Sequence, residues 1–102
     1  MLKMYILVKD TVPSNYVPVV CAHASLSCYL KYEHTSDMEM WINFSFKKVV
    51  VKVNDSEFEL AKEIEKSLVI TESSLNNMEV AIVLSPRQNF PEFVKRLPLY
   101  SN

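Results

Sequence analysis

The side chains that could do chemistry in this sequence lie near the predicted ends of two β-strands. Lys9 and Asp10 follow the first apolar, β-branched run, which has the profile of a buried strand. His23 lies in the helix that is predicted next, and Glu72 and Ser73 end a later strand. Ligands of open α/β sheets bind at such strand ends, so we expect any site of this protein around Lys9 to His23.

Each of these residues also has a purely structural interpretation. His23 is either a core histidine hydrogen-bonded to a neighbouring segment or a site residue at the mouth of the first strand. Lys9 and Asp10 are either a surface pair or part of the site. Glu72 and Ser73 are either the shoulder of a hairpin or a carboxylate with a hydroxyl partner. In the chemical interpretation, Lys9, His23 and Glu72 are the catalytic candidates.

The composition excludes several kinds of site. The 102 residues include no glycine, so a Gly-rich phosphate loop, a dinucleotide fingerprint or a nucleophile elbow cannot be built in the usual way. We therefore expect no nucleotide cofactor and no other cofactor. No Cys/His ligand spacing is present, so we expect no metal site.

Charge, cysteines and the N-terminal region indicate the cellular setting. The net charge of −1 argues against a broad nucleic-acid footprint but leaves room for a local basic patch. Cys21 and Cys28 lie on one predicted helix roughly 10 Å apart, too far for a disulfide, and are expected as buried thiols. The first apolar run is too short for a signal peptide or a membrane span, which predicts a cytoplasmic location and no membrane partner.

The predicted elements follow the order strand, helix, strand, helix, strand, strand, with a short closing helix. Strands are predicted at Lys3–Lys9, Lys47–Val53, Leu68–Glu72 and Met78–Leu84, the last of them ended by Ser85-Pro86. Helices are predicted from a cap at Ser14 or Asn15 to Tyr32, within Asp37–Phe46, at Glu57–Ser67, and from Asn89 to Arg96. The first helix is apolar on nearly every face, so we expect it to be buried on two sides.

The connection between the third and fourth strands restricts their pairing. Only the five residues Ser73 to Asn77 separate them, too few for a parallel crossover. If adjacent, the two strands therefore form an antiparallel hairpin. Strands one, two and four are then the candidates for parallel pairing, with strand three reversed. Residues 1–102 are expected to form a single domain.

This order of elements, together with three short motifs, resembles peptidyl-tRNA hydrolase II, the archaeal and eukaryotic type of that enzyme. The motifs are Lys3-Met4 at the start of the first strand, Ala22-His23-Ala24 inside the first helix and Leu97-Pro98-Leu99 after the last. The resemblance covers nearly the whole chain. It implies an α/β fold, a three-layer α/β/α sandwich on a four-stranded mixed sheet of order 2-1-4-3 with strand three antiparallel.

The resemblance also identifies positions at which this sequence differs from the family's site. The family's first helix begins with a site lysine, whose position Tyr16 occupies, and the family's glutamine three residues before the histidine is Val20. The aspartate that follows the family's strand-three glutamate falls at Ser73. The Gly- and Thr-containing loop after it is shortened to Ser74–Asn77, whereas His23 is retained.

The resemblance implies contacts with a tRNA substrate. In this interpretation Lys9 takes over the phosphate contact of the missing helix lysine. Six residues are the candidates for substrate contacts: Asp10, Tyr16 and Ser73 near the first helix, and Lys47, Lys48 and Arg87 as a footprint for the tRNA backbone.

Two functional hypotheses follow. In the first, which the replaced residues favour, the protein is a divergent member of this family without its catalysis and binds RNA or a protein partner. In the second, it is an active peptidyl-tRNA ester hydrolase with a rearranged site. Ester hydrolysis needs a polarised water and a stabilised oxyanion, and neutral side chains do not supply the same charge. Because Tyr16 and Val20 make the mouth of the site apolar, self-association there into a homodimer is a further expectation.

Overall fold

The computed structural model describes residues 1–101, which contain four strands and four helices. The strands are β1 Lys3–Lys9, β2 Lys47–Val53, β3 Ser67–Glu72 and β4 Met78–Arg87. The helices are α1 Val17–Tyr32, α2 Ser36–Met40, α3 Asp55–Ala61 and α4 Glu92–Lys95. Short 3-10 turns lie at Ser14–Tyr16 and Ser73–Leu75, and a π turn lies at Trp41–Ser45.

The four strands form one mixed sheet in the order β2-β1-β4-β3. The predicted order and the antiparallel β3–β4 hairpin are confirmed. The expectation that strands one, two and four run parallel is wrong, because β4 is antiparallel to β1 while β1 and β2 are parallel. The hairpin fixes only the relative direction of β3 and β4. The long connection through α3 delivers β3 parallel to β2, so β4 is the reversed strand.

Helices cover both faces of the sheet. The connection from β1 to β2 moves one way across the sheet and that from β2 to β3 moves the other way, so right-handed crossovers place α1 and α3 on opposite faces. On the α1 face, Ile6 and Val8 pack with Val20 of the helix. On the other face, Leu7 packs with Phe58 of α3. The predicted three-layer α/β/α sandwich is confirmed.

Helix α1 is buried on one side only. Val20, Ala24 and Cys28 are fully buried against the sheet, whereas Leu26 and Leu30 are each 61% exposed. The predicted burial on two sides is therefore wrong, because among residues 1–101 only the sheet side of the helix is closely covered. This leaves an apolar ridge on the surface.

The start of α1 also differs from the expectation. Ser14 and Asn15 lie in a 3-10 turn that runs directly into the helix, and Tyr16 stands at the N-cap without a side-chain cap bond. The predicted cap is therefore wrong. Pro18 lies in the first turn as predicted, where its missing N–H has no helical partner to lose.

The segment between α1 and β2 closes the same face of the sheet. The Thr35 side chain accepts a hydrogen bond from the Met38 N–H and caps α2. Met38 and Trp41 are buried, and Trp41 Nε1 donates to the Lys47 carbonyl at 2.8 Å. Ile42, the next residue, is 37% exposed.

Helix α3 begins with a capping box and ends earlier than predicted. The Asn54 side chain accepts from the Glu57 N–H at 2.8 Å, and the Glu57 carboxylate accepts from the Asn54 N–H at 2.9 Å. The helix ends at Ala61 rather than near Ser67. Lys66 then adopts φ 56°, which turns the chain into β3 one residue later.

Strand β4 continues past its predicted end. Ser85-Pro86 was expected to stop it, yet the strand runs to Arg87. The pairing with β1 shifts by one residue between Tyr5 and Lys3, and this bulge accommodates the proline that cannot donate to the ladder. The closing helix is likewise shorter than predicted and starts after Pro91 rather than at Asn89.

The C-terminal tail closes one edge of the sheet. The Lys52 N–H of edge strand β2 donates to the Pro98 carbonyl at 3.0 Å, and the Tyr100 N–H donates to the Val50 carbonyl at 2.9 Å. Val51 and Leu99 form the antiparallel bridge between them. The Val50 carbonyl and the Lys52 N–H on the outer side of β2 are thus paired within the chain.

Candidate functional site

The structure brings His23 and Glu72 into direct contact. Nε2 of His23 lies 3.1 Å from Oε1 of Glu72, although the residues are 49 positions apart. The buried face of α1 fixes the helix on the sheet and directs His23 towards the end of β3. The Glu72 side chain is only 4% exposed, whereas that of His23 is 49% exposed. The interpretation of His23 as a core histidine is therefore wrong, although its bond to a neighbouring segment was expected.

A backbone donor holds Glu72 in its ionised form. The Ser74 N–H, in the 3-10 turn after β3, donates to Glu72 Oε2 at 3.0 Å. This hydrogen bond is the first cause that lowers the pKa of Glu72, and the neighbouring His23 lowers it further against the opposing effect of burial. An ionised carboxylate only accepts hydrogen bonds, so Nε2 of His23 carries the proton that faces it.

This arrangement leaves Nδ1 of His23 as the acceptor. A histidine oriented by a carboxylate is the usual arrangement of a general base, because histidine side chains exchange protons near neutral pH. The His23–Glu72 pair is thus chemically competent to accept a proton from a water or a hydroxyl group.

A cleft of about 390 Å³ opens beside the pair, between α1 and edge strand β3. It is lined by His23, Ser27, Leu68, Val69, Ile70, Thr71, Ser73 and Asn77. Among the described residues, those lining the cleft include no lysine and no arginine. Its polar groups are therefore neutral hydroxyls and an amide, apart from the histidine itself.

Lys9 does not lie with this pair. Met4, Ile6 and Val8 point towards α1, so Lys9 points to the opposite face with the other odd-numbered residues of β1. Its Nζ lies 4.4 Å from the centroid of the Phe58 ring and 3.9 Å from Asp55 Oδ1, both in α3. The structure does not bring Lys9 together with His23 and Glu72.

The remaining candidates near α1 are placed differently from one another. Asp10 is exposed in the turn after β1, and its N–H donates to the Val53 carbonyl at 2.8 Å. Tyr16 packs partly against the core, and Val20 is fully buried within it. Ser73 is exposed and lines the cleft. Of these residues, only Ser73 joins the His23–Glu72 pair.

The basic candidates lie at the other end of the sheet. Lys47 and Lys48 start β2, and Arg87 ends the antiparallel β4, so all three are far along the strands from Glu72. Lys47 and Lys48 are exposed, and Lys48 Nζ lies 3.1 Å from the centroid of the Phe46 ring. Desolvation of the ammonium group lowers the pKa of Lys48.

The Arg87 guanidinium is engaged within the fold. Its Nε donates to the Ser85 carbonyl at 3.0 Å, and an Nη donates to the Lys66 carbonyl at 3.1 Å. Desolvation lowers its pKa. These bonds hold the start of β3 against the end of β4, which is a structural role.

Thr71 and Asn77 of the cleft and the Ser74 N–H were not identified from the sequence. The short hairpin turn, whose residues all lie within a few positions of Glu72, was the signal that could have found them. Ser27 lies four positions after His23, hence on the same face of α1.

Both cysteines are free thiols. Burial raises the pKa of Cys21 and raises that of Cys28 to about 12, so neither thiol is a nucleophile.

Among residues 1–101, no cluster of three or more His, Cys, Asp or Glu side chains is arranged to hold a metal ion. Within the same residues, no helix has both the length and the apolar character needed to cross a membrane.

Comparison with known proteins identifies the family. A search of the curated proteins found no match. A family model described as "Peptidyl-tRNA hydrolase PTH2" matches residues 2–99, nearly the whole chain. The mixed sheet and the three layers agree with that match. The chain belongs to the peptidyl-tRNA hydrolase PTH2 family.

Proposed function

We propose that this member of the PTH2 family binds tRNA without performing the family's hydrolysis. One observation carries the proposal: among residues 1–101, the cleft beside His23 and Glu72 is lined by no cation, and Lys9 lies on the opposite face of the sheet. Hydrolysis of the peptidyl ester builds negative charge on the carbonyl oxygen. Each lost oxyanion donor typically costs about 3 kcal/mol of transition-state stabilisation.

The binding surface in this proposal is the basic end of the sheet. Lys47 and Lys48 are exposed, and the Phe46 ring beside them is 56% exposed. Lysines position a phosphate backbone. Lys48 Nζ already lies over one face of the Phe46 ring and donates to the Phe46 carbonyl at 2.9 Å, so this surface would contact tRNA through its lysines rather than by base stacking. A cytoplasmic location is part of the same proposal and rests on the family.

Catalysis by a rearranged site is the second candidate, and the His23–Glu72 contact favours it. His23 would accept a proton from water through Nδ1, and Glu72 would stabilise the imidazolium that forms. The hydroxyls of the cleft and the Asn77 amide are the available donors to an oxyanion, the hydroxyls being those of Ser27, Thr71 and Ser73. Lys9 takes no part in this version because it faces α3.

Binding of labelled tRNA tests the proposal. We expect the Lys47→Glu/Lys48→Glu double variant to weaken binding by roughly tenfold or more, with a shallower salt dependence. Lys52→Glu is the matched control, because Lys52 lies near the other end of the same strand. No salt-sensitive binding by the wild type, or an equal loss in the control, contradicts the proposal; the first result would favour a protein partner.

Hydrolysis is measured on the same preparations with N-acyl-aminoacyl-tRNA. We expect no deacylation above the rate in buffer for the wild type, Lys9→Ala and His23→Ala. Deacylation that His23→Ala abolishes and Lys9→Ala leaves unchanged would establish the second candidate instead.

A further inference from the structure

The two edges of the sheet differ in how their backbone groups are paired. At the β2 edge, the tail around Leu99 bonds to the strand, and three lysines lie along it. At the β3 edge, the segment Ser67–Thr71 carries no charged residue and no proline. Natural proteins usually protect an edge strand by one of these devices, and an unprotected edge pairs readily with another strand.

The phase of the β3–β4 ladder shows which groups of β3 are free. The Ser85 N–H donates to the Lys66 carbonyl at 3.1 Å, so Leu68 and Ile70 also turn their backbone groups towards β4. Val69 and Thr71 turn theirs outwards. Within residues 1–101, neither makes a backbone hydrogen bond outside the strand ladder. The outward carbonyl of Ser67 accepts a hydrogen bond from the Tyr32 hydroxyl at 3.3 Å.

We propose that β3 pairs with β3 of a second copy of this chain, antiparallel and centred on Val69. The outward N–H and C=O of Val69 then exchange two hydrogen bonds with the partner's Val69. The backbone groups of Thr71 pair with those of the partner's Ser67, and the backbone groups of Ser67 pair with those of the partner's Thr71. The two four-stranded sheets join into one continuous sheet.

The sequence of the segment is self-complementary in this register. Leu68 lies opposite the partner's Ile70 on the α1 face, an aliphatic pair that favours sheet formation. Val69 lies opposite its own copy on the other face. At the flanks, Lys66 comes to the end at which the partner's Glu72 lies, but the Glu72 carboxylate is buried and bonded to His23 and the Ser74 N–H, so the apolar pairs carry the complementarity. No like charges face each other between them.

The proposed pairing also changes the candidate site. The cleft beside His23 is lined by residues of β3 from Leu68 to Thr71. A second strand along that edge narrows the open side of the cleft in both copies. This inference does not depend on tRNA binding, since it rests on the edge alone.

Thr71→Pro tests the pairing directly. Thr71 is exposed and its N–H points outwards, so proline removes the donor without leaving a β4 partner unpaired. Sedimentation over a concentration series should show a wild-type dimer. Two symmetry-related hydrogen bonds are lost in the variant, so its dissociation constant should rise by about tenfold or more. Thr71→Val keeps the N–H and should dimerise like the wild type.

Hydrogen exchange of the wild type supplies a second measurement, which holds even if Thr71→Pro fails to fold. The Val69 and Thr71 amides should be protected at high protein concentration and exchange faster on dilution. The Leu68 amide, bonded within the hairpin, should be equally protected at both concentrations. Three results would overturn the proposal. The wild type is a monomer throughout the concentration series, or a folded Thr71→Pro variant dimerises as tightly as the wild type. The third is a dimer in which exchange of the Val69 and Thr71 amides does not depend on protein concentration.

Discussion

Val20→Gln tests whether a position of the family's site has become part of the core in this chain. Val20 is fully buried between α1 and the sheet, in the cluster that contains Ile6 and Val83. A buried amide without partners costs about 1–3 kcal/mol, and the extra volume costs about 1–3 kcal/mol more. We expect a loss of roughly 2–6 kcal/mol, a large fraction of the roughly 5–15 kcal/mol that stabilises a domain of this size.

The assay is urea unfolding followed by circular dichroism, with Val19→Gln as the matched control. Val19 is the neighbouring residue and is 46% exposed, so its substitution should change the free energy of unfolding by less than about 0.5 kcal/mol. If Val20→Gln lowers the free energy of unfolding by no more than Val19→Gln does, the introduced amide has found hydrogen-bond partners. In that case the reasoning that packing has removed this position from the site is refuted.

Three further outcomes are expected. Glu72→Gln should reduce the loss of stability on acidification. The pKa of Glu72 is lowered from 4.5 in the folded protein, so the ionised carboxylate stabilises the fold above pH 4.5, and this contribution disappears as the pH falls through the folded-state pKa. Urea midpoints measured from pH 7 to pH 3 test this expectation. Asn54→Ala should lose about 1 kcal/mol in the same assay because it removes the cap of α3, whereas Ser56→Ala should lose less. Lys9→Ala should leave tRNA binding unchanged in a titration, because Lys9 faces Phe58; a tenfold loss would contradict the placement.

Local patterns were sufficient for much of the fold. β1 and β2 have the predicted bounds, because the β-branched and other apolar residues of each strand lie between charged or polar residues at its two ends. The direction of β4 depended on long-range geometry, since a short hairpin relates it only to β3. The sequence pattern does not predict the early end of α3, because Ile64 still packs against the core beyond the last helical turn.

The site was only partly predictable, because it also depends on long-range geometry. Contact between His23 and Glu72 requires β3 to lie at the sheet edge beneath α1, which depends on strand order. The side on which Lys9 lies requires knowing which face α1 covers. Because β1 is apolar on both faces, its sequence carries no alternation from which that face could be inferred.

We propose that His23 and Glu72 remain as a pair in a cleft that does not support hydrolysis. Single-turnover deacylation of N-acyl-aminoacyl-tRNA by excess protein measures this most directly. We predict release at the rate of buffer alone, identical for the wild type and His23→Ala. Release that is faster than in buffer and returns to the buffer rate in His23→Ala would contradict the claim.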